Sequence, residues 1–248
     1  MTYFYTHTVQ PGDNYWLLAH RYHTTPQEIF AVNRGVNPNY LFIGQHIHIP
    51  IPVTAERSRS KPTNHCIGQK EVDYRNEMTS LWEEHVAWTR MAIISLVFNL
   101  PDVDFVIARL LQNATDMGDM FRVLYGDLTA KTYADLIQEH LLFAADLVKA
   151  SLAGDTQAAM DAEKKWYDNA DQIAKFLSEA NPFLTEDTVR QMFYHHLDLT
   201  KQEAVFMINE EFQKDIDVYD EIEEQAREMA DALSDAMVKA IPNYFSHS

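Results

Sequence analysis

His85, His140 and His196 stand 55 and 56 residues apart, and parts of their surroundings recur with them. Leu81-x-x-Glu84-His85 returns as Leu136-x-x-Glu139-His140, and His85-x-x-x-Thr89-Arg90 as His196-x-x-x-Thr200-Lys201. An imidazole can trade protons near neutrality, ligate a transition metal, or act as a core hydrogen-bonding group. Each of the three follows a potential ligand: Glu84, Glu139 or His195. Glu203 lies two turns beyond His196, and Asn113 and Asp116 add oxygen donors. Histidines and carboxylates on facing helices are how helical bundles hold divalent metals. The metal reading therefore takes His85, His140, His196, Glu84, Glu139, Glu203 and Asp116 as a candidate ligand set. Against it, neighbours at i and i+1 on a helix point about 100° apart, and the Glu-x-x-His spacing of di-iron bundles is missing at all three. A core histidine bonded to Thr, Asn or Asp and a pocket using His as acid or base are the two other readings.

Helices have to position these groups. Asn99-Leu100-Pro101, Gly126-Asp127, Ala153-Gly154-Asp155 and Asn181-Pro182 cut the chain beyond residue 71 into helical lengths, with Asp102, Thr129, Asp155 and Thr185 as expected caps. The stretch 185–241 is too long for one ordinary helix, so a break is expected between Asn209 and Lys214. About six helices in three hairpins, an antiparallel all-α bundle, follow from the short connections. His85 aligns with Met78, Trp82, Thr89 and Ala92, His140 with Ile137, Ala144 and Leu147, and His196 with Met192, Phe193, Thr200 and Met207. Each histidine thus sits on an apolar stripe. Trp166, Tyr167 and Tyr219 read as core or groove rim, and the acidic run 215–224 as a solvated face. No Gly-rich phosphate loop, Gly-x-Ser-x-Gly elbow or His-Glu-x-x-His is present, and no catalytic residue is assigned.

The formal charge of −17 is unevenly placed. Residues 1–70 hold 6 basic and 3 acidic side chains, and residues 71–248 hold 14 and 34. A helical region so acidic is a poor match for nucleic acid, which demands clustered Lys and Arg, and suits a cationic protein partner or divalent ions. No apolar run is long enough to span a bilayer. The start MTYFYTHTVQPGD lacks the pattern of a secretory signal, so synthesis in the cytoplasm is the expectation. A lone Cys66 gives no intrachain disulfide.

Most of the Gly and Pro fall in the first 70 residues, which read as a compact module (5–51) and a flexible linker (52–70) before the helical domain (71–248). A short strand at His7 to Gln10 is followed by the turn Pro11-Gly12-Asp13. Asp13 or Asn14 caps a helix that buries Trp16, Leu17 and Ala19. A second helix starts at Thr25-Pro26, with Glu28 at capping-box spacing, and buries Ile29, Phe30 and Val32. Gln45 to Ile49 alternates as a strand. His20, His23, His46 and His48 read as solvated surface.

Three groups of landmarks in this stretch resemble the LysM domain, a βααβ module that binds N-acetylglucosamine-containing glycans. They are Val9-x-x-Gly12-Asp13-x-x-Trp16, then Thr25-x-x-Glu28-Ile29-x-x-x-Asn33, then Asn37-Pro38-x-x-Leu41-x-x-Gly44-Gln45-x-Ile47-x-Ile49-Pro50. The resemblance implies an α+β module whose shallow groove is lined by Gly12, Asp13, Asn14 and Tyr15 on one side and Pro38, Asn39, Tyr40 and Leu41 on the other. It implies peptidoglycan or a chitin-like glycan as partner. A LysM opening without a leader resembles the layout of spore-envelope proteins, in which the helical bundle would play a structural or interaction role. The rivals are a metal-dependent or acid/base enzyme acting on wall material, and an assembly adaptor that uses the LysM fold only for docking.

Overall fold

A computed structural model describes residues 4–10, 13, 15–22, 24–36, 41–50 and 67–246. The chain divides into two compact units, 1–66 and 67–248.

In the first unit, β1 (Phe4–Thr8) pairs antiparallel with β2 (His46–Pro50), Tyr5 facing Ile49 and His7 facing Ile47. Two short helices, α1 (Tyr15–Arg21) and α2 (Pro26–Val32), lie between them in sequence. Thr25 caps α2: its hydroxyl accepts from the Glu28 amide while the Glu28 carboxylate accepts from the Thr25 amide, the reciprocal box expected from the spacing. Alternation in β2 turns Ile47 and Ile49 inward, onto Val9, Tyr15, Leu18, Ala19 and Ile29. The buried face of α1 is thus carried by Tyr15, Leu18 and Ala19. The side chains of Trp16 and Leu17, expected there, lie outside the described residues, as does the linker up to Cys66. Phe30, expected inside, is exposed, because its neighbour Ile29 fills the inward position.

The second unit consists of α3 (Gln69–Val97), α4 (Val103–Tyr125), α5 (Asp127–Leu152), α6 (Thr156–Ala180), α7 (Glu186–Ile208), α8 (Phe212–Ala240) and the short α9 (Pro242–Phe245). Each long helix packs on the next in sequence, and α8 returns to pack on α3, closing the series. The pairs α3/α4, α5/α6 and α7/α8 are in contact, but so are α4/α5 and α6/α7. The three odd-numbered helices approach one another inside.

Helix ends follow the expected punctuation with two changes. Asp155 and Thr185 cap through the amides of Ala158 and Thr188. Asp102 precedes α4, but its carboxylate instead accepts from the Ser95 hydroxyl at 3.0 Å. Thr129 is no cap: Gly126, at φ +84°, reverses the chain in one residue, so α5 begins at Asp127. The break expected between Asn209 and Lys214 falls at 209–211, where Glu210 takes φ +59°. The helical region begins inside the stretch read as linker. A Cβ on Gly68 would stand 2.8 Å from the Phe245 carbonyl oxygen, and Tyr74 packs edge-on against Phe245 at 5.3 Å, so contact with α9 holds the start of α3 at Gln69. Gly118 is a second close approach: a Cβ there would lie 2.7 Å from both the Ala130 carbonyl and the Ala134 side chain, so its absence lets α4 and α5 touch.

Candidate functional site

The three histidines meet. Ring centroids of His85 (α3), His140 (α5) and His196 (α7) lie 5.6, 6.1 and 6.4 Å apart in the three pairings, and all three residues are buried. Each has the same partner on the following helix. Nδ1 of His85, His140 and His196 lies 3.1 Å from the amide oxygen of Asn113, Asn169 and Gln225, respectively. Each amide nitrogen in turn donates to the carbonyl four residues before its histidine: Leu81, Leu136 and Met192. The amide orientation is thereby fixed, and so is the tautomer: Nδ1 carries the proton and Nε2 the lone pair. The Trp166 indole N–H confirms this at His140, donating to Nε2 at 3.1 Å.

Three hairpins therefore repeat one construction, with layers in register along it. One turn beyond the histidines come Thr89, Ala144 and Thr200; two turns beyond come Ile93, Val148 and Ala204, all packed inside. The Thr89 and Thr200 hydroxyls each donate to the carbonyl of their own histidine. Burial pushes His85 down to about 4 and His196 to about 3, the latter helped by the neighbouring imidazoles. His140 is held well below the ordinary imidazole range by burial, then by the other two rings. These are neutral groups near pH 7. In that form Nε2 is a hydrogen-bond acceptor, the role His140 plays toward Trp166.

The carboxylates of the expected metal set go elsewhere. Glu84 binds Arg109 at 2.6 Å, Glu139 is exposed, and Asp116 accepts from Gln112. For Glu84 and Glu139 the place directly before a histidine turns the carboxylate away from it, as i, i+1 geometry requires. Glu203 is buried, but its partner is Arg90 at 2.7 Å; Arg90 also grips Asp215 through two nitrogens at 3.1 and 2.5 Å. Burial pushes Glu203 up to about 7 against the pull of Arg90. Among the described residues no group of three or more His, Cys, Asp or Glu is arranged to hold a metal ion. The structure brings the three histidines together, while Glu84 and Glu203 pair with arginines and Asp116 with Gln112. The signal that was missed is Asn169 and Gln225, which stand 29 residues after their histidines, as Asn113 stands 28 after His85.

Beside the histidine layer lies an apolar cavity of about 280 Å³, bounded by the ends of α3, α5 and α7 with α4 and α6. Trp166 forms part of its wall, and the Lys201–Glu163 ion pair, 2.6 Å long, stands in its lining.

In the N-terminal unit, two polar locks tie the strands to the helices. Asp13 is almost wholly enclosed and accepts from His7 Nε2 at 2.6 Å, the Gln10 amide at 2.7 Å and Arg21 at 3.2 Å. The Tyr22 hydroxyl sits 2.9 Å from the other nitrogen of His7. Asn33 donates to the carbonyls of Ile29 and His48 and accepts from the His48 amide, all within 2.8 Å. Before β2, Leu41 is half-buried against the core, while Phe42 and Ile43 are 69% and 72% exposed.

Residues 7–50 match the family model of the LysM domain. Comparisons with curated proteins and with solved structures gave no match. The LysM match carries glycan binding, of the peptidoglycan or chitin type, as the function of its class. Of the eight groove residues implied by the resemblance, Gly12, Asn14, Pro38, Asn39 and Tyr40 lie outside the described residues. Asp13 and Tyr15 are turned inward: the carboxylate is consumed by three donors, and the Tyr15 ring is 3% exposed in the LysM core. Leu41 is half-buried against the core. The exposed pair Phe42 and Ile43 went unnoticed in the sequence, where an apolar loop reads like an extension of the next strand. Among the described residues no helix is long and apolar enough to cross a membrane.

Proposed function

We propose that the LysM domain binds N-acetylglucosamine polymers, peptidoglycan first, and thereby positions the acidic helical unit in a cell-wall or spore-envelope layer, where that unit has a structural or interaction role. The family match over residues 7–50 carries the reading. It is supported by Phe42 and Ile43, two large apolar side chains held exposed on the loop where a LysM groove is expected. A pyranose ring presents apolar C–H faces that pack on such surfaces, while its N-acetyl group takes backbone hydrogen bonds. The surplus of acid over base beyond residue 71 makes a cationic protein the fitting neighbour for the helical unit.

Co-sedimentation of the full chain with purified peptidoglycan and with chitin tests this. Retention on at least one polymer, competed by soluble N-acetylglucosamine oligomers and weakened by Phe42→Ala or Ile43→Ala, is expected. Failure to bind either polymer would remove the reading.

A further inference from the structure

The cavity at the open end of the odd-numbered helices is set apart by the repeat itself. Where Ala145 lines it, the equivalent positions of the other hairpins hold Arg90 and Lys201; where Ala159 lines it, they hold Val103 and Asp215. In the sector between α8 and α3 two of those longer groups, Arg90 and Asp215, meet: Arg90 binds Asp215 and Glu203 and lies 4.6 Å over the Tyr219 ring. Small residues leave open the space that the third sector fills with charge.

Of the polar groups in the lining, all but Thr156, exposed at the start of α6, are already engaged. Thr89, Thr200 and Ser151 donate to carbonyls of their own helices, and the Trp166 N–H is held by His140. A ligand inside meets hydrocarbon and must bring no polar atom that needs a partner. Leu142, Met160 and Val205 line the cavity and are also exposed, so it opens to the surface past apolar side chains. Lys201 supplies a cation in the lining, its Glu163 partner exchangeable at a position where both side chains are partly exposed.

We propose that this cavity binds a single aliphatic chain ending in a carboxylate, with the chain inside and the carboxylate on Lys201 in place of Glu163. The volume, about 280 Å³, is close to twice that of the ~150 Å³ apolar cavity that admits benzene, which sets the chain near ten carbons.

The test is calorimetric titration of the full chain with hexanoate, octanoate, decanoate and decanol. Saturable one-to-one binding is expected, tightening about threefold to fourfold per added methylene until the cavity is full. Ala145→Phe should abolish it with the circular dichroism unchanged, since equivalent positions carry arginine and lysine. Val205→Trp, at the exposed mouth, is the second blocking variant and does not depend on repacking the interior. Lys201→Met should weaken decanoate about tenfold and leave decanol unchanged, the signature of a charge-assisted contact. Absence of saturable binding to decanoate overturns the proposal, and so does binding that survives both Ala145→Phe and Val205→Trp. Equal affinity for decanoate and decanol, untouched by Lys201→Met, overturns the assignment of the carboxylate. None of these outcomes depends on whether the LysM domain holds glycan.

Discussion

Each unit of the protein buries histidine, and the two do so with opposite partners. His7 in the LysM domain sits against a carboxylate, Asp13, with a tyrosine hydroxyl on its far side. His85, His140 and His196 in the helical unit sit against neutral amides and against one another. An amide oxygen fixes which nitrogen carries the proton but supplies no full charge to hold a second one. The same side chain therefore serves as one link in a hydrogen-bonded lock around a carboxylate in the first unit, and as a neutral, tautomer-fixed spacer between three helix pairs in the second.

Acid should give the largest effect, in the helical unit. An unfolded imidazole takes up its proton near 6.5, whereas His85 and His196 do so in the fold at about 4 and about 3. The unfolded chain binds more protons between those values, so the contribution is fully present above pH 6.5 and is lost as pH falls. At pH 5 the loss is about 2 kcal/mol for each of His85 and His196, and His140, held low by burial, adds to it in the same direction. Urea unfolding followed by helical circular dichroism at pH 7 and pH 5 measures it; equal midpoints would show that the imidazoles are not buried as neutral groups. Arg90→Met comes next. It strands Glu203 and Asp215, both nearly inaccessible, and should cost about 3–5 kcal/mol, read as a lower melting temperature of the helical unit alone. In the LysM domain, Asn33→Ala removes three short hydrogen bonds from a buried position and should cost about 2–3 kcal/mol, weakening glycan retention while the helical transition stays in place. Thr25→Ala removes one half of an exposed capping box, with a loss of about 1 kcal/mol. A helical transition that moved with either LysM variant would erase the independence of the two units.

How much could be read in advance follows from the range of each interaction. Thr25, Glu28, Asp155 and Thr185 declare helix starts through contacts three residues long, and the chain spells those out. The helical stripe placed three histidines inside for the same reason. The reach of Asn113, Asn169 and Gln225 across to the neighbouring helix is not local, and only the repeat spacing hints at it. The i, i+1 spacing of Glu84 and Glu139 already counts against them as ligands, and the structure has Glu84 on Arg109 and Glu139 exposed. For Asp13 and Tyr15 the motif records that the positions matter without saying whether their side chains face sugar or core, and both side chains are enclosed.

The return of α8 to α3 also sets an order of events during synthesis. Arg75 reaches Asp235 across 160 residues, Arg227 reaches Glu83 across 144, and Arg90 reaches Asp215 across 125. Hairpins such as α5/α6 can form from local contacts as soon as they emerge, but closure waits for the last long helix, and until then one flank of α3 is uncovered. A chain halted before α8 would keep two of its three histidine–amide pairs and expose apolar surface on α3 and α7, a marked substrate for chaperones and proteases rather than a smaller version of the same protein.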